Sequence, residues 1–599
     1  MSDNTLLTSP IDPPRTSSAP DRWIPLLLIA AVALTFSGIL RNDFTVWDDH
    51  GTVVENPNFN PPTAAGLANH WRAPHMDLYV PATYTLWWTL AKVAWQSDSA
   101  HLVAWPFHVA NLALHALATL AVFALLRRLL RRDWPAAAGA LIFALHPVQA
   151  EAVAWISGAK DLLGGLLVLA ALWQYVAAFE NADTPTRHRA VHYAIATALL
   201  ILALLAKPIA VVTPLLAVVI DRLVIGRDWR RIAVSAGPWF VLVVPCLVWT
   251  KLFQPSLHTV APAIWQRPLI ATDALAFYLY KLAIPLGLAI DYGRNPAAAL
   301  AAGCAYWTWL VPAAIAALLW WRRREARLPI AAALFAIAAL SPLLGLVPFD
   351  FQGYSTTADH YLYIPMAGVA LAVAWAACHV QPRVAIGAVA TVALVLALLS
   401  ARQVMFWRDS VALFEHTIAV NPDSYAAYSN LAASALREAR DEEKVLAVAH
   451  ERDDPAAEGE HRARLTALNN TYLAFASESC RIRPDSVAAC RRVADAMMRL
   501  DRPADAVTYL RRAIDAWAKL PAEDQRKFAT THYLLGVALA RSGHPAEAIA
   551  CCRRTLDILP DYAPAQSMLA EARTALAAQR QSVSGSNSKT ASTFEQSNP

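Results

Sequence analysis

The feature that most constrains this chain is a succession of apolar stretches, each long enough or nearly long enough to cross a bilayer, separated by loops in which arginine is concentrated. They lie at 23–40, 103–126, 135–147, 161–179, 191–206, 208–224, 232–252, 305–321, 328–348, 362–379 and 384–401. A transmembrane helix needs ~20 predominantly apolar residues, so the length rule gives about 11 spans, the stretch at 135–147 being short for one. Arginine gathers in three of the intervening loops: Arg127, Arg128, Arg131 and Arg132; then Arg222, Arg227, Arg230 and Arg231; then Arg322, Arg323, Arg324 and Arg327. An excess of cations in short loops marks the cytoplasmic side. With the N-terminus on that side, the loop after the first span, the turn after His146, the segment 253–304, the loop 349–361 and everything after 402 share the opposite face. Two further apolar stretches, 78–96 and 272–290, would each invert the arginine pattern if counted alone, and read as helices lying along the interface. With 57% hydrophobic and only 16% charged residues, the chain falls outside the ordinary soluble class. Its net charge of +5 is accounted for by these clusters and argues for no nucleic-acid partner.

The fold class that follows is all-α, a polytopic membrane helix bundle and then an α-solenoid. Residues 1–22, rich in Ser, Pro and Asp, read as a disordered cytoplasmic N-terminus, and 23–402 as the membrane domain. From 403 to 578 the composition turns soluble, and small and large residues recur in the order of the tetratricopeptide signature. One unit runs from Val487 through Ala494, Ala506, Leu510 and Ala513, and a second from Ala529 through Leu535, Gly536, Leu539, Ala548, Cys552 and Thr555 to Pro560. In such a repeat a small residue lets the two helices of a hairpin cross closely. The Ser-, Asn- and Gln-rich stretch 579–599 reads as a disordered tail. Seven cysteines without CxxC or Cys/His spacing argue against zinc or a redox motif. Cys480 and Cys490 flank the turn at Arg483, Pro484 and Asp485, where two free thiols in helix packing are the commoner arrangement and a bridge the rarer.

The residues that can carry chemistry collect on the face opposite the arginines. Asp48 and Asp49 follow the first span, beside Trp47 and His50, and both carboxylates are expected to meet water. Such a pair can act as a general base or bind a metal, although the commoner role of the dipeptide is a solvated loop or helix cap. Glu151, Lys160 and Asp161 lie in and after the turn that begins at His146, and Asp273, Lys281, Asp291 and Arg294 fall in the same layer, as do Asp350, Asp359 and His360. Gathered at one bilayer surface, cations can hold a phosphate and an acid can take a proton from an attacking hydroxyl; singly, each is more often a solvated loop charge. Within the second span His108, Asn111 and His115 share one helical face and read as a polar seam between helices. Two turns separate the histidines, too far to share an ion easily. No GxGxxG, Walker or GxSxG pattern occurs.

Four stretches resemble the motifs of the transmembrane and tetratricopeptide-repeat-containing (TMTC) O-mannosyltransferases and their bacterial relatives. They are Phe44 to Pro57 with its Trp47-Asp48-Asp49; His146 to Val153 with Gly158 and Asp161 to Leu163 after it; Asp291-Tyr292; and Ala358 to Pro365. The resemblance implies the GT-C fold and transfer of a sugar, mannose in that family, from a polyprenyl-phosphate donor. The acceptor is a hydroxyl, protein Ser or Thr or a glycan, on the non-cytoplasmic face, and transfer proceeds with inversion. It makes Asp48 or Asp49 the base and the other an orienting acceptor or a ligand for a divalent cation, Mg or Mn. Glu151, Lys160, Asp161, Asp291, Arg294, Asp359 and His360 then surround the substrate, with Lys160, Arg294 and His360 as phosphate contacts. The chain departs from the family pattern at Val80-Pro81, at Gly158 to Asp161 and at Asp359-His360, where cations are lost, moved or replaced by a histidine. The rival class of function is a non-catalytic membrane scaffold whose repeats recruit envelope-assembly partners.

Overall fold

The structure, a computed structural model, describes residues 22–98, 101–181, 185–253 and 262–595. All but the last residue of the expected disordered N-terminus lies outside the described residues. The chain divides into two compact units, Met1–Asn421 and Pro422–Pro599.

Among the described residues of the first unit eight helices are long and apolar enough to cross a membrane: Trp23–Arg41, Trp105–Leu130, Ile156–Phe179, Thr186–Ala206, Pro208–Ile225, Trp229–Phe253, Cys304–Trp321 and Pro382–Met405. A ninth is available if Asp133–Leu145 and Pro147–Ala154, which meet at 53°, count as one broken span. The two remaining apolar stretches form the shorter helices Arg327–Leu343 and Met366–Cys378. Outward-facing side chains such as Leu34, Val241 and Leu398 stay exposed, as the lipid-facing side of such a bundle requires. The stretches expected along the interface are the helices Pro81–Ala94 and Arg267–Ala283, and neither is among the eight.

Small residues bring the short helices together. A Cβ on Gly139 would strike the carbonyl of Ala370, and one on Gly368 would lie 2.6 Å from the carbonyl oxygen of Ala332. Asp133–Leu145 therefore packs backbone-close on Met366–Cys378, and that helix on Arg327–Leu340, which is how helices associate where burial of apolar surface gives little drive. The polar seam faces the bundle interior, where His115 lies 3.1 Å from the Tyr363 hydroxyl and 2.9 Å from the Ala144 carbonyl.

The first unit runs past the expected boundary at 402 because the helix Ser410–Val420 and the residues before it are tied to the loop after the first helix. Ser410 Oγ accepts from the amide of Val46 at 2.9 Å, the amide of Asp43 donates to Arg408 at 2.9 Å, and His416 stacks on Phe406 at 3.6 Å. Composition turns polar at Arg402, but these bonds are made across the chain and leave no local mark.

In the second unit, helices Tyr425–Glu451, Pro455–Ile482, Val487–Arg499, Pro503–Trp517, Thr530–Arg541 and Pro545–Ile558 stack as successive hairpins. The signature positions Ala494, Ala506, Leu510, Leu535, Ala548 and Cys552 are all buried. The last helix, Ala563–Glu595, continues through the stretch expected to be a disordered tail. Its first half is rich in Ala, the strongest helix former, and once a helix is nucleated each added residue costs little.

Candidate active site

The site is built on the break in the bundle. Proline at 147 lacks an amide hydrogen and crowds the preceding turn, so the helix Asp133–Leu145 must stop at His146, whose backbone is extended. The chain then makes a 3₁₀ turn, the one-and-a-half-turn helix Ala150–Ala154, an extended Trp155, and a second 3₁₀ turn before the helix Ala159–Phe179. Asn111, from the polar seam, donates its amide to the carbonyls of Val153 and Trp155 at 3.2 and 2.8 Å. Irregular backbone at membrane depth is tolerated where protein groups satisfy it in this way.

Two loops dock on this break. The carboxylate of Asp49 accepts the Ser157 amide at 2.9 Å on one oxygen, and the amide and hydroxyl of Thr45 at 3.0 and 2.9 Å on the other. Glu151 accepts the amide of His360 at 3.1 Å on one oxygen, and its other oxygen lies 2.8 Å from His360 Nδ1. The loops 42–49 and 358–362 are thereby fastened to the same break, His146 to Gly158.

The acidic pair is thus split. Asp49 is 1% exposed, which corrects the expectation that both carboxylates meet water. Burial pushes its pKa up to about 6, its hydrogen bonds acting in the other direction. The Asp48 side chain is 47% exposed, with Lys160 Nζ 3.9 Å from its carboxylate. Protein packed around its inner side raises its pKa, and the positive charges of Lys160, His360 and Lys207 oppose the rise, in falling order. The backbone of Asp48 has φ of 153°, a region that residues with a Cβ rarely adopt and that is found disproportionately at functional sites.

Lys160 and Asp161 occupy the first turn of Ala159–Phe179 and point apart. Lys160 faces Asp48, with Trp155 and Trp87 at 5.3 and 6.0 Å, while Asp161 pairs with Lys207. The sequence reading placed Glu151, Lys160 and Asp161 at the surface, yet none is more than 8% exposed. Each is paired, as buried charge must be. Asp161, Lys207, His360, Tyr361 and Tyr363 also line a small cleft of about 10 Å³, room for a single water.

The other expected residues form a neighbouring framework. Arg294 pairs with Asp273, which also accepts the Thr308 hydroxyl at 2.9 Å, so the guanidinium is committed away from Asp48. Asp291 accepts the Gly293 amide at 2.8 Å. Asp359 turns from the site to accept the Tyr292 hydroxyl at 2.7 Å, and burial, with Glu151 nearby, raises its pKa well above the usual carboxylate range. Lys281 donates to the carbonyls of Leu286 and Gly287 at 2.7 and 3.0 Å. These bonds hold the segment 284–294 and the loop 349–361 together.

The set does not suit a divalent cation. Asp49 already takes hydrogen bonds on both oxygens, Asp161 holds an ammonium, and the Lys160 ammonium stands against Asp48. Among the described residues no group of three or more His, Cys, Asp or Glu side chains converges as a metal would need.

Lys207 is the member the sequence reading missed. Its signal was a lone cation at the joint between two apolar runs, followed by Pro208. The partner that gives it meaning, Asp161, lies on another helix.

Residues 486–561 match the family model described as tetratricopeptide repeat. Over 436 residues, 68% of this chain, the sequence is 25% identical to the Caenorhabditis elegans protein O-mannosyl-transferase F38B6.6, of which the match covers 59%. It is 24% identical to the Drosophila melanogaster protein O-mannosyl-transferase Tmtc2 over 42% of this chain and 28% of that one. It is 29% identical to the human protein O-mannosyl-transferase TMTC4 over 35% of this chain and 31% of that one. The chain therefore spans less than two thirds of these relatives. They bear out the likeness to the TMTC proteins read from the motifs.

Proposed function

We propose that the chain is a membrane glycosyltransferase that moves mannose from a polyprenyl-phosphate donor to a Ser or Thr hydroxyl of a protein acceptor. The observation that carries this reading is the Asp48 carboxylate, open to solvent, beside Lys160 and within the field of His360 and Lys207. The similarity to curated O-mannosyl-transferases supports it. In the reaction Asp48 takes the proton of the acceptor hydroxyl as its oxygen bonds to the sugar's anomeric carbon, and the bond from that carbon to the phosphate oxygen breaks with its electron pair leaving on the phosphate. One displacement from the face opposite the leaving group inverts the anomeric centre. The departing dianion meets Lys160, with Lys207 and His360 behind it, and charge-assisted hydrogen bonds from such groups are the strong ones. Asp49 orients the loop from beneath.

The purified full-length protein, given a panel of lipid-linked sugars and a simple peptide acceptor, is expected to transfer mannose. No transfer from any lipid-linked sugar overturns the reading. Lys160→Met removes the cation nearest Asp48 and is expected to raise KM for the donor roughly 10- to 100-fold, the worth of one hydrogen bond to a charged group. An unchanged donor KM would take Lys160 out of phosphate binding.

The site belongs, on this reading, to the non-cytoplasmic side, opposite the arginine clusters. The repeat unit, whose stacked hairpins suit protein recognition, belongs there too. Reporter fusions at Asn60 and Asn430 are expected to behave alike. Opposite behaviour would separate the repeats from the acceptor face.

A further inference from the structure

Two cysteines of the repeat unit stand face to face. Cys480 lies in the last turn of Pro455–Ile482 and Cys490 in the first turn of Val487–Arg499, with the turn at Arg483 to Ser486 between them. Their sulfurs are 3.1 Å apart, and both residues are buried. The turn between them is held on both sides: the Arg483 amide donates to Ser479 at 3.1 Å, the Ser486 amide to Arg483 at 3.1 Å, and Ser486 caps the second helix through the Ala489 amide at 3.3 Å. The thiols are therefore placed before any bond is made. A disulfide needs the sulfurs at about 2.05 Å, a movement of about 1 Å that side-chain rotation can supply.

We infer that Cys480 and Cys490 form an intramolecular disulfide that staples the two helices across this turn, in place of two free thiols packed in the core. In the forming step the Cys480 thiolate attacks the disulfide of a small oxidant such as oxidised glutathione, giving a mixed disulfide and releasing one reduced thiol. The Cys490 thiolate then displaces the second. Two protons and two electrons leave the protein, carried by the two reduced thiols of the oxidant.

The surroundings favour this order of attack. The hydrogen bond from Cys490 holds the Cys480 thiol down to about 7, assisted by Arg512 and opposed by burial, while the same contact pushes Cys490 up. The remaining cysteines of this unit, Cys551 and Cys552, are both shifted towards the thiol form by burial, Cys551 to about 11. They serve as internal controls, being adjacent in sequence with no counterpart turn between them.

The test equilibrates the full-length protein in glutathione buffers from reducing to oxidising, alkylates free thiols, and maps the digest by mass spectrometry. In the oxidising buffers a cross-linked peptide joining Cys480 and Cys490, lighter by two hydrogens, is expected, with Cys551 and Cys552 alkylated. Oxidation is also expected to raise the urea midpoint of the wild type and leave that of the Cys480→Ser, Cys490→Ser double variant unchanged. Alkylation of both Cys480 and Cys490 throughout the series, or glutathione adducts at either without the cross-link, overturns the inference. The mapping is made on the wild type, so a variant that fails to fold does not obscure it.

Discussion

Asp48→Asn is expected to lower sugar transfer by about 100-fold or more, the usual loss when a general base is removed, while the protein folds as before. The side chain is 47% exposed and approaches Lys160 only to 3.9 Å, and the ammonium keeps the faces of Trp155 and Trp87 at 5.3 and 6.0 Å, so the neutral amide is accommodated without unfolding. Asp49→Asn is expected to behave in the opposite way. An amide presents one oxygen and one NH₂ group to three donors, so the NH₂ must face the Thr45 or the Ser157 amide. Leaving a buried donor unmade costs about 1–3 kcal/mol, which appears as a lowered melting temperature in detergent, with transfer lost only as far as the loop shifts. Full transfer by Asp48→Asn in a folded protein would remove the proposed base, and an unaltered melt for Asp49→Asn would remove the brace.

The same assignment fixes the sign of a pH dependence. Asp48 accepts a proton only when ionised, and its folded pKa is raised, so transfer falls as pH drops through a value above the unperturbed carboxylate near ~3.9. Lys160 is the largest of the charges opposing that rise, so Lys160→Met moves the acid limb of the transfer profile further up. This displacement is separate from the change in donor KM, because it reads the proton on Asp48 and not the phosphate.

Gly158→Ala is expected to cost transfer about as much, although the residue touches no substrate. Its φ of −64° is open to any residue, so conformational freedom is not why glycine stands there. A Cβ at this position would fall inside van der Waals contact with the carbonyl oxygen of Ala152 and 2.9 Å from its carbon, both backbone atoms that cannot turn aside. The two arms of the broken helix must then separate, and with them move Ser157, which holds Asp49, and Lys160, which faces Asp48. Overpacking of this kind costs about 1–3 kcal/mol, and a displacement near 1 Å at a reacting group can cost about 100-fold in rate. Transfer and thermal melting measured on the same preparation check it, and wild-type transfer in the alanine variant would show that the break is not what positions these groups.

What the sequence by itself determined was whatever follows from composition and period. The apolar runs and arginine clusters dictated a many-helix membrane unit, the alternation of small and large residues dictated the hairpins from Val487 onward, and Pro147 dictated where a helix must break. These are local properties, set by the energy of one segment against its solvent or its own backbone. Which charges meet was decided only by tertiary structure. Asp48 and Asp49 are chemically identical neighbours, and one became a solvent-facing acid and the other a buried brace because Ser157, 108 residues away, supplies an amide to the second. Arg294 was as good a phosphate ligand as Lys160 on paper, but Asp273 neutralises it, while Lys207, an unremarked joint between two spans, is drawn in by Asp161. Burial makes an unpaired charge expensive, so each buried charge takes its role from the partner that packing brings within a few ångströms, and that partner lies far away along the chain.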